Sequence, residues 1–329
     1  MNTVRIYLLT FLFCLGTLSL GQADELPKVR VGMVNFVGEA TNYYAYKKGL
    51  FKAEGIDVII KRNPAGVQSL KQVIRGEIDI GTVAPTPIIF AAMGRFDLPP
   101  DFHIVASILE STSLNNVVIL DSQKIPHPRQ LRGKRLALTP GTASEYFWHV
   151  FALANQIEPD GPVIVPMRVT EMTEAARQGS IDAAVAWTPI NLDIMRAAGA
   201  HARSYSGEDI YTTSWLVVAR PDYIRQHPDR VEAYLRALGK AQEVMLSQPE
   251  TVAETHAQKL NKSTDELSDL YALLEFDLSL NESLIINLSQ QAVWAKNNGY
   301  VSGEVPNFRN FINTDILESM RPENIRLLE

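Results

Sequence analysis

Cysteine is almost missing from this chain: Cys14 is the only one in 329 residues. It sits in an apolar run near the N-terminus. Phe13, not a small residue, precedes it, which argues against a lipidated cysteine. The remainder of the chain therefore has no disulfide framework and no cysteine nucleophile, and its stability must come from a large core. His103, His127, His149, His201, His227 and His256 show no metal-ligand spacing, so neither metal nor cofactor is expected. The motifs G-x-S-x-G, G-x-G-x-x-G, the phosphate loop and H-E-x-x-H are absent as well. Beyond the N-terminus no stretch is long and apolar enough to span a membrane. A net charge of −6 speaks against nucleic acid as the main partner.

What is present describes a globular chain, with 46% hydrophobic and 21% charged residues and length enough for two domains. Arg5 is the only charge before Asp24. Residues 6–20 are apolar, and Gly21-Gln22-Ala23 puts small residues at −3 and −1 of a cut after Ala23. Residues 1–23 thus read as a cleaved secretory signal peptide, too short for a comfortable span. Loss of Arg5 would take the net charge from −6 to −7.

The remainder alternates. Strands are expected over 29–37, 57–61, 78–83, 102–109, 116–120, 135–139, 163–166, 181–186 and 214–219. Helices are expected between them, and the pattern after Pro221 is nearly all helical. One unit occurs twice. In 75–87, RGEIDIGTVAPTP, a helix ends at Gly76, a short strand follows, and Thr86-Pro87 reads as a helix cap and first position. In 172–189 the roles return with Gly179, Ile181-Asp182 and Thr188-Pro189. Two such units imply two similar halves, each offering a loop at the carboxyl end of a strand, where open α/β sheets bind ligands. The expected fold is α/β with two lobes: 24–113 in lobe one, 114–216 in lobe two, and 217–329 returning to lobe one.

The loop Thr82–Thr86 is one candidate lip of a cleft between the lobes, with Ala84 at its middle. Trp187 and Thr188 form the other. The loop 138–144 joins a strand to a helix. Its free N–H groups, with the Thr142 and Ser144 hydroxyls, suit an anion. The same residues also fit a capping box, Thr142 with Glu145. Glu39, at a helix start, either satisfies free N–H groups or faces the cleft and reads a cation. Trp187 either walls a ligand or packs in the core. Four helix starts, at 39–42, 86–87, 142–144 and 188–189, are expected to converge.

The segments AYKKGLFKAEGIDV (45–58), SLKQVIRGEIDIG (69–81), QLRGKRLALTPGTA (130–143), AARQGSIDAAVAWTP (175–189) and ARPDYIRQHPDRVEAYL (219–235) together resemble a known family. They are similar to periplasmic substrate-binding proteins of ABC importers, in the nitrate, sulfonate and taurine group that also includes pyrimidine-precursor binders. The resemblance implies a type II periplasmic-binding-protein fold with two crossover segments. It implies a monomer without catalysis that carries a small-molecule ligand to an ABC permease and its ATPase. It places ligand contacts at Asn35 and Glu39, at Thr82, Ala84 and Thr86, at Gly141, Thr142 and Ser144, at Trp187, and at Thr213. Taurine-binding members have an acid just before the tryptophan that corresponds to Trp215. This chain has Thr212, Thr213 and Ser214 there, so a sulfonate with an uncharged tail, another small anion or a heterocycle is equally open.

Overall fold

The computed structural model describes residues 25–158 and 160–328; the expected signal segment lies outside them. The chain opens with β1 (Lys28–Val34), a 3-10 turn (Val37–Glu39), α1 (Ala40–Lys47), the short α2 (Leu50–Ala53) and β2 (Asp57–Asn63). Next come α3 (Gly66–Ile74), β3 (Ile80–Val83), α4 (Pro85–Ala92) and β4 (His103–Ser111). The middle segment holds β5 (Asn115–Ile119), β6 (Arg135–Leu138), α5 (Ala143–Ala154), β7 (Val163–Pro166), α6 (Val169–Arg177), β8 (Ala183–Trp187), α7 (Ile190–Ala198) and β9 (Arg203–Ser206). After β10 (Thr213–Ala219) the chain is mostly helical: α8 (Pro221–Gln226), α9 (Pro228–Ser247), α10 (Pro249–Leu260) and α11 (Thr264–Tyr271). It ends with β11 (Leu280–Asn281), α12 (Glu282–Asn297), α13 (Asp315–Met320) and β12 (Ile325–Arg326).

Two five-stranded sheets result, in the orders β2-β1-β3-β10-β4 and β7-β6-β8-β5-β9. Each has a parallel trio, then a strand antiparallel to it, then an edge strand antiparallel to that one. The chain leaves the first sheet after Ser111, enters the second at Asn115, and returns between Ser206 and Thr213. Residues 213–216, grouped on sequence grounds with the middle segment, run in the first sheet as the start of β10.

The cores follow from the period-two alternation of strands. In the second sheet, Val117, Ile119, Leu136, Leu138 and Val185 face one cluster. Val118, Ala137, Ala184 and Ala186 face the other. Both faces are covered by helices, which is why these strands are apolar throughout. The first sheet shares a single large core with the C-terminal helices, where the rings of Phe51 and Tyr234 stack 5.2 Å apart.

The repeated Gly-x-Ile-Asp unit has a structural cause. Gly76 and Gly179 follow the last turns of α3 and α6 with φ of +69° and +64°, a region open to glycine. The aspartate then clamps the neighbouring strand. Asp79 accepts from Arg30 N at 2.7 Å and from the guanidinium at 3.1 and 2.6 Å. Asp182 does the same for Arg135, at 2.8, 3.1 and 2.9 Å.

The Thr-Pro endings behave differently from expectation. Ala84, not Thr86, is the N-cap of α4, with Pro85 at the first helical position. Pro189, not Thr188, caps α7, and the Thr188–Pro189 peptide is cis. Thr188 instead ties the end of β8 to the crossover, its N–H donating to Leu114 O at 3.0 Å. β9 and α13 were not anticipated. Residues 203–206, Arg-Ser-Tyr-Ser, carry no apolar alternation, because an edge strand needs none.

Candidate ligand cleft between the lobes

A small cavity lies where the carboxyl ends of the two sheets meet. Val34 ends β1 and Phe36 follows it, Ala65 to Val67 open α3, and Ala84 and Pro87 flank the start of α4. Thr213 and Trp215 reach it from β10. The other lobe supplies Leu114 and Asn115, Thr142 and Ala143 at the start of α5, and Trp187 at the end of β8. Its volume is ≈ 40 Å³, counted as room for the centres of water molecules. That is space for about three waters, so the lobes stand close together.

Among the described residues, no acid, lysine, arginine or histidine lines this space. Its polarity comes from Asn115, Thr142, Thr213 and three helix starts. Each helix start carries partial positive charge from unsatisfied N–H groups. Ala65 and Ala84 are the N-caps of α3 and α4, and neither supplies a side-chain cap. Pro85 and Pro87 have no N–H, which leaves that of Thr86 in the first turn of α4. Thr142 caps α5, its Oγ1 accepting from Ser144 N at 3.3 Å and donating to Thr139 O at 2.7 Å. Gly66 lets α3 start this close to the sheet: a Cβ there would lie 2.8 Å from Val83 Cα and 3.0 Å from the Trp215 ring.

The aromatic wall is held from behind. Phe36 and Trp215 meet at 4.7 Å between ring centroids. The indole N–H of Trp215 donates to Glu39 Oε1 at 3.3 Å. The same oxygen accepts from Val34 N at 3.2 Å and from the Thr82 hydroxyl. Oε2 accepts from Asn42 Nδ2 at 2.8 Å, and Asn42 Oδ1 accepts from the Tyr234 hydroxyl. Glu39 is 1% exposed. Burial pushes its carboxyl up to about 7, and the hydrogen bonds from Thr82, Val34, Asn42 and Trp215 pull the other way.

A family model described as NMT1/THI5-like matches residues 38–252, well over half of the chain. The protein belongs to the NMT1/THI5-like family. It is 22% identical over 273 residues to a putative aliphatic sulfonates-binding protein of Bacillus subtilis (strain 168), covering 81% of this chain and 76% of that one. It is 25% identical over 227 residues to the taurine-binding periplasmic protein of Escherichia coli (strain K12), covering 66% and 67%. Among solved structures, the alkanesulfonate-binding protein SsuA from Xanthomonas axonopodis pv. citri, bound to MOPS, superposes with a TM-score of 0.74 at 18% identity. That superposition spans 89% of this chain and all of that one. A Candida albicans protein with the generic periplasmic binding protein structural fold superposes with a TM-score of 0.68 at 14% identity, over 92% of this chain and 98% of that one, so the two-lobe fold is the periplasmic-binding-protein fold.

Within this member of the family, Ala84, Thr142, Trp187 and Thr213 line the cavity. Glu39 and Thr82 do not; they form the network behind Trp215. Thr86 is fully buried, its hydroxyl bonded to Gln291 Oε1 of α12 at 2.6 Å. Ser144 turns its hydroxyl to Val185 O at 3.4 Å. Gly141, at φ +74°, packs near the Phe96 ring outside the cavity lining. Asn35 is exposed and borders a neighbouring groove. Of the four helix starts expected to converge, those of α4 and α5 do, whereas those of α1 and α7 do not line the space. The start of α3, which was not among them, takes their place. Asn115 was missed too. Its only signal was a polar pair, Asn115-Asn116, opening an otherwise apolar strand.

Two sets of charges clasp the lobes. Arg95, beyond α4, forms a forked pair with Glu145 of α5 at 2.8 and 3.1 Å. Glu145 Oε2 also accepts from Gly141 N at 2.7 Å, so the carboxylate does turn back to the helix start, but to Gly141 and not to Thr142. On the far side, Asp193 of α7 meets Lys262, and Arg196 meets Glu266 at 2.6 Å. Tyr146 of α5 packs its ring against Trp294 of α12 at 5.1 Å.

Proposed function

We propose that this protein is the periplasmic solute-binding component of an ABC importer. In this reading it is exported through a cleaved signal peptide, works as a monomer, and delivers its ligand to a permease and its ATPase. The ligand is a small sulfonate with an uncharged apolar tail. One observation carries this reading: the cavity combines three helix starts and aromatic walls with no charged side chain. A sulfonate stays an anion at any physiological pH. Neutral N–H and O–H donors can hold it without a counter-cation, as helix starts do for anions generally. Three or four hydrogen bonds to a charged group, less the costs of association, leave about −8 kcal/mol, or micromolar affinity.

The missing carboxylate bears on specificity. An ammonium group, as in taurine, would enter a space with no acid to receive it, and Glu39 is held behind Trp215. The lining also offers no base, acid or activated nucleophile, which favours a binder over an enzyme. Phe36, Trp187 and Trp215 would equally flank a flat heterocycle, so an aminopyrimidine is the contrasting probe.

The test is calorimetry on protein purified from the periplasm, against short alkanesulfonates, taurine, nitrate, bicarbonate and an aminopyrimidine. An alkanesulfonate should bind in the micromolar range and at least ten-fold more tightly than taurine, and should be recovered unchanged. Binding of the aminopyrimidine with none of the sulfonates would overturn the reading.

A further inference from the structure

A second and much larger groove lies on the outer side of the first lobe, along the edge strand β2, between α1 and α10. On the same measure its volume is ≈ 790 Å³ against the cleft's ≈ 40 Å³. Val34 borders both, so the end of β1 is the wall between them. The two spaces are chemically opposite. Lys47, Arg62 and Lys259 all border the groove, and among the described residues none of the three has a carboxylate partner. Two acids border it. Asp57 lies 3.6 Å from Lys52, and both oxygens of Glu39 are already bonded inside the lobe. A chain of net charge −6 thus concentrates three cations without a carboxylate partner in one place, Lys47 resting over the Tyr43 ring at 5.6 Å.

Lys259 is half-buried, and its pKa is lowered first by that burial and then by the nearby Arg62. Two like charges held together without a counter-charge repel each other, and a bound anion would relieve that repulsion. His256, also on the groove, points the same way. It is 1% exposed, and its Nε2 has no hydrogen-bond partner. Its Nδ1 lies 2.6 Å from the Tyr271 hydroxyl. With that hydroxyl donating, Nε2 carries the ring hydrogen and is an unsatisfied buried donor. Burial holds the ring neutral, its pKa lowered to about 3. Tyr43 stacks on the imidazole at 5.2 Å, and Tyr46 and Ile59 add apolar surface that is 43% and 45% exposed. Buried donors without partners are uncommon in proteins, and each invites an explanation.

We propose that this groove is a second binding site, separate from the cleft, for an organic anion carrying at least two negative charges on an aromatic or apolar body. The charges would meet Arg62, Lys259 and Lys47, with His256 Nε2 donating. The body would rest on Tyr46 and Ile59. The site stands independently of which ligand occupies the cleft.

Benzene-1,3-disulfonate is a suitable probe, titrated by calorimetry into the intact exported protein at low salt. One equivalent should bind even when the cleft is saturated with an alkanesulfonate. The Arg62→Gln, Lys259→Gln double variant should bind it at least ten-fold more weakly, and Trp187→Ala should bind it unchanged. Both substituted cations reach solvent, so the fold is not at risk, and an unchanged melting temperature checks this. Inorganic sulfate should bind at least ten-fold more weakly than the disulfonate; equal affinity would overturn the apolar part of the proposal. Absence of binding, displacement by the cleft ligand, or indifference to the double variant would overturn the site.

Discussion

Glu39 and Glu145 occupy matching places in the two lobes. Each lies at the start of the helix after the first strand of the parallel trio, and each reaches back to a backbone N–H a few residues earlier, Val34 N and Gly141 N. Their surroundings then diverge. Glu39 turns into its own lobe, among neutral donors and, among the described residues, without a cation. Glu145 faces across the cleft to Arg95. One carboxylate braces a wall of the cavity, and the other pulls the lobes together. The aspartates of the repeat show the opposite behaviour, since Asp79 and Asp182 bond their arginines in the same pattern. Repetition is kept where it supports each sheet from within. It is lost at the loops that face the other lobe, because those contacts differ on the two sides.

The largest expected effect concerns Glu39. Holding its proton to about pH 7 instead of 4.5 corresponds to about 3 kcal/mol. A raised carboxyl favours the folded state at low pH, and that stability is lost as pH rises from 4.5 through about 7. Urea unfolding of the wild type and of Glu39→Gln, measured from pH 4 to 8, should therefore diverge by that amount across this window. Parallel curves would mean that Glu39 resembles an ordinary surface carboxylate.

Next is the clamp. Asp79→Ala should cost about 2 kcal/mol and Asp182→Ala about 1 kcal/mol in chemical unfolding, because each leaves donors unpaired and the second site is wetter. The side chains are 10% and 29% exposed. Equal losses would break the distinction between the two lobes. For the clasp, Arg95→Gln should weaken binding in the cleft by about ten-fold, since the closed state is then less populated before ligand arrives. Calorimetry with an alkanesulfonate reads this directly, and unchanged affinity would remove the pair from closure. The smallest effect belongs to Ser144→Ala. Its hydroxyl makes one long bond to Val185 O, so affinity should change less than two-fold and stability by about 0.5 kcal/mol.

Much of the frame was legible in the residues. Apolar periodicity located nearly every long helix and strand, and Gly76 and Gly179 marked helix ends because few other residues tolerate their φ. Trp187 and Thr142, singled out at a strand end and a helix start, line the cavity, as does Thr213, which only the family resemblance suggested. Thr86 and Ser144 looked equally suitable but turn inward, to Gln291 and Val185. Nothing local distinguishes a hydroxyl that faces a cleft from one that faces a neighbouring helix.

Sequence alone determined the alternation of elements, the doubled unit and the glycine-marked helix ends, since each depends on residues a few positions apart. Only the tertiary structure decided which groups meet at the cleft. Glu39 reaches Trp215 across 176 residues of chain, and Thr86 reaches Gln291 across 205. Whether a buried carboxylate finds a cation or only neutral donors depends on such distant partners. That is why two glutamates in equivalent places came to do different work.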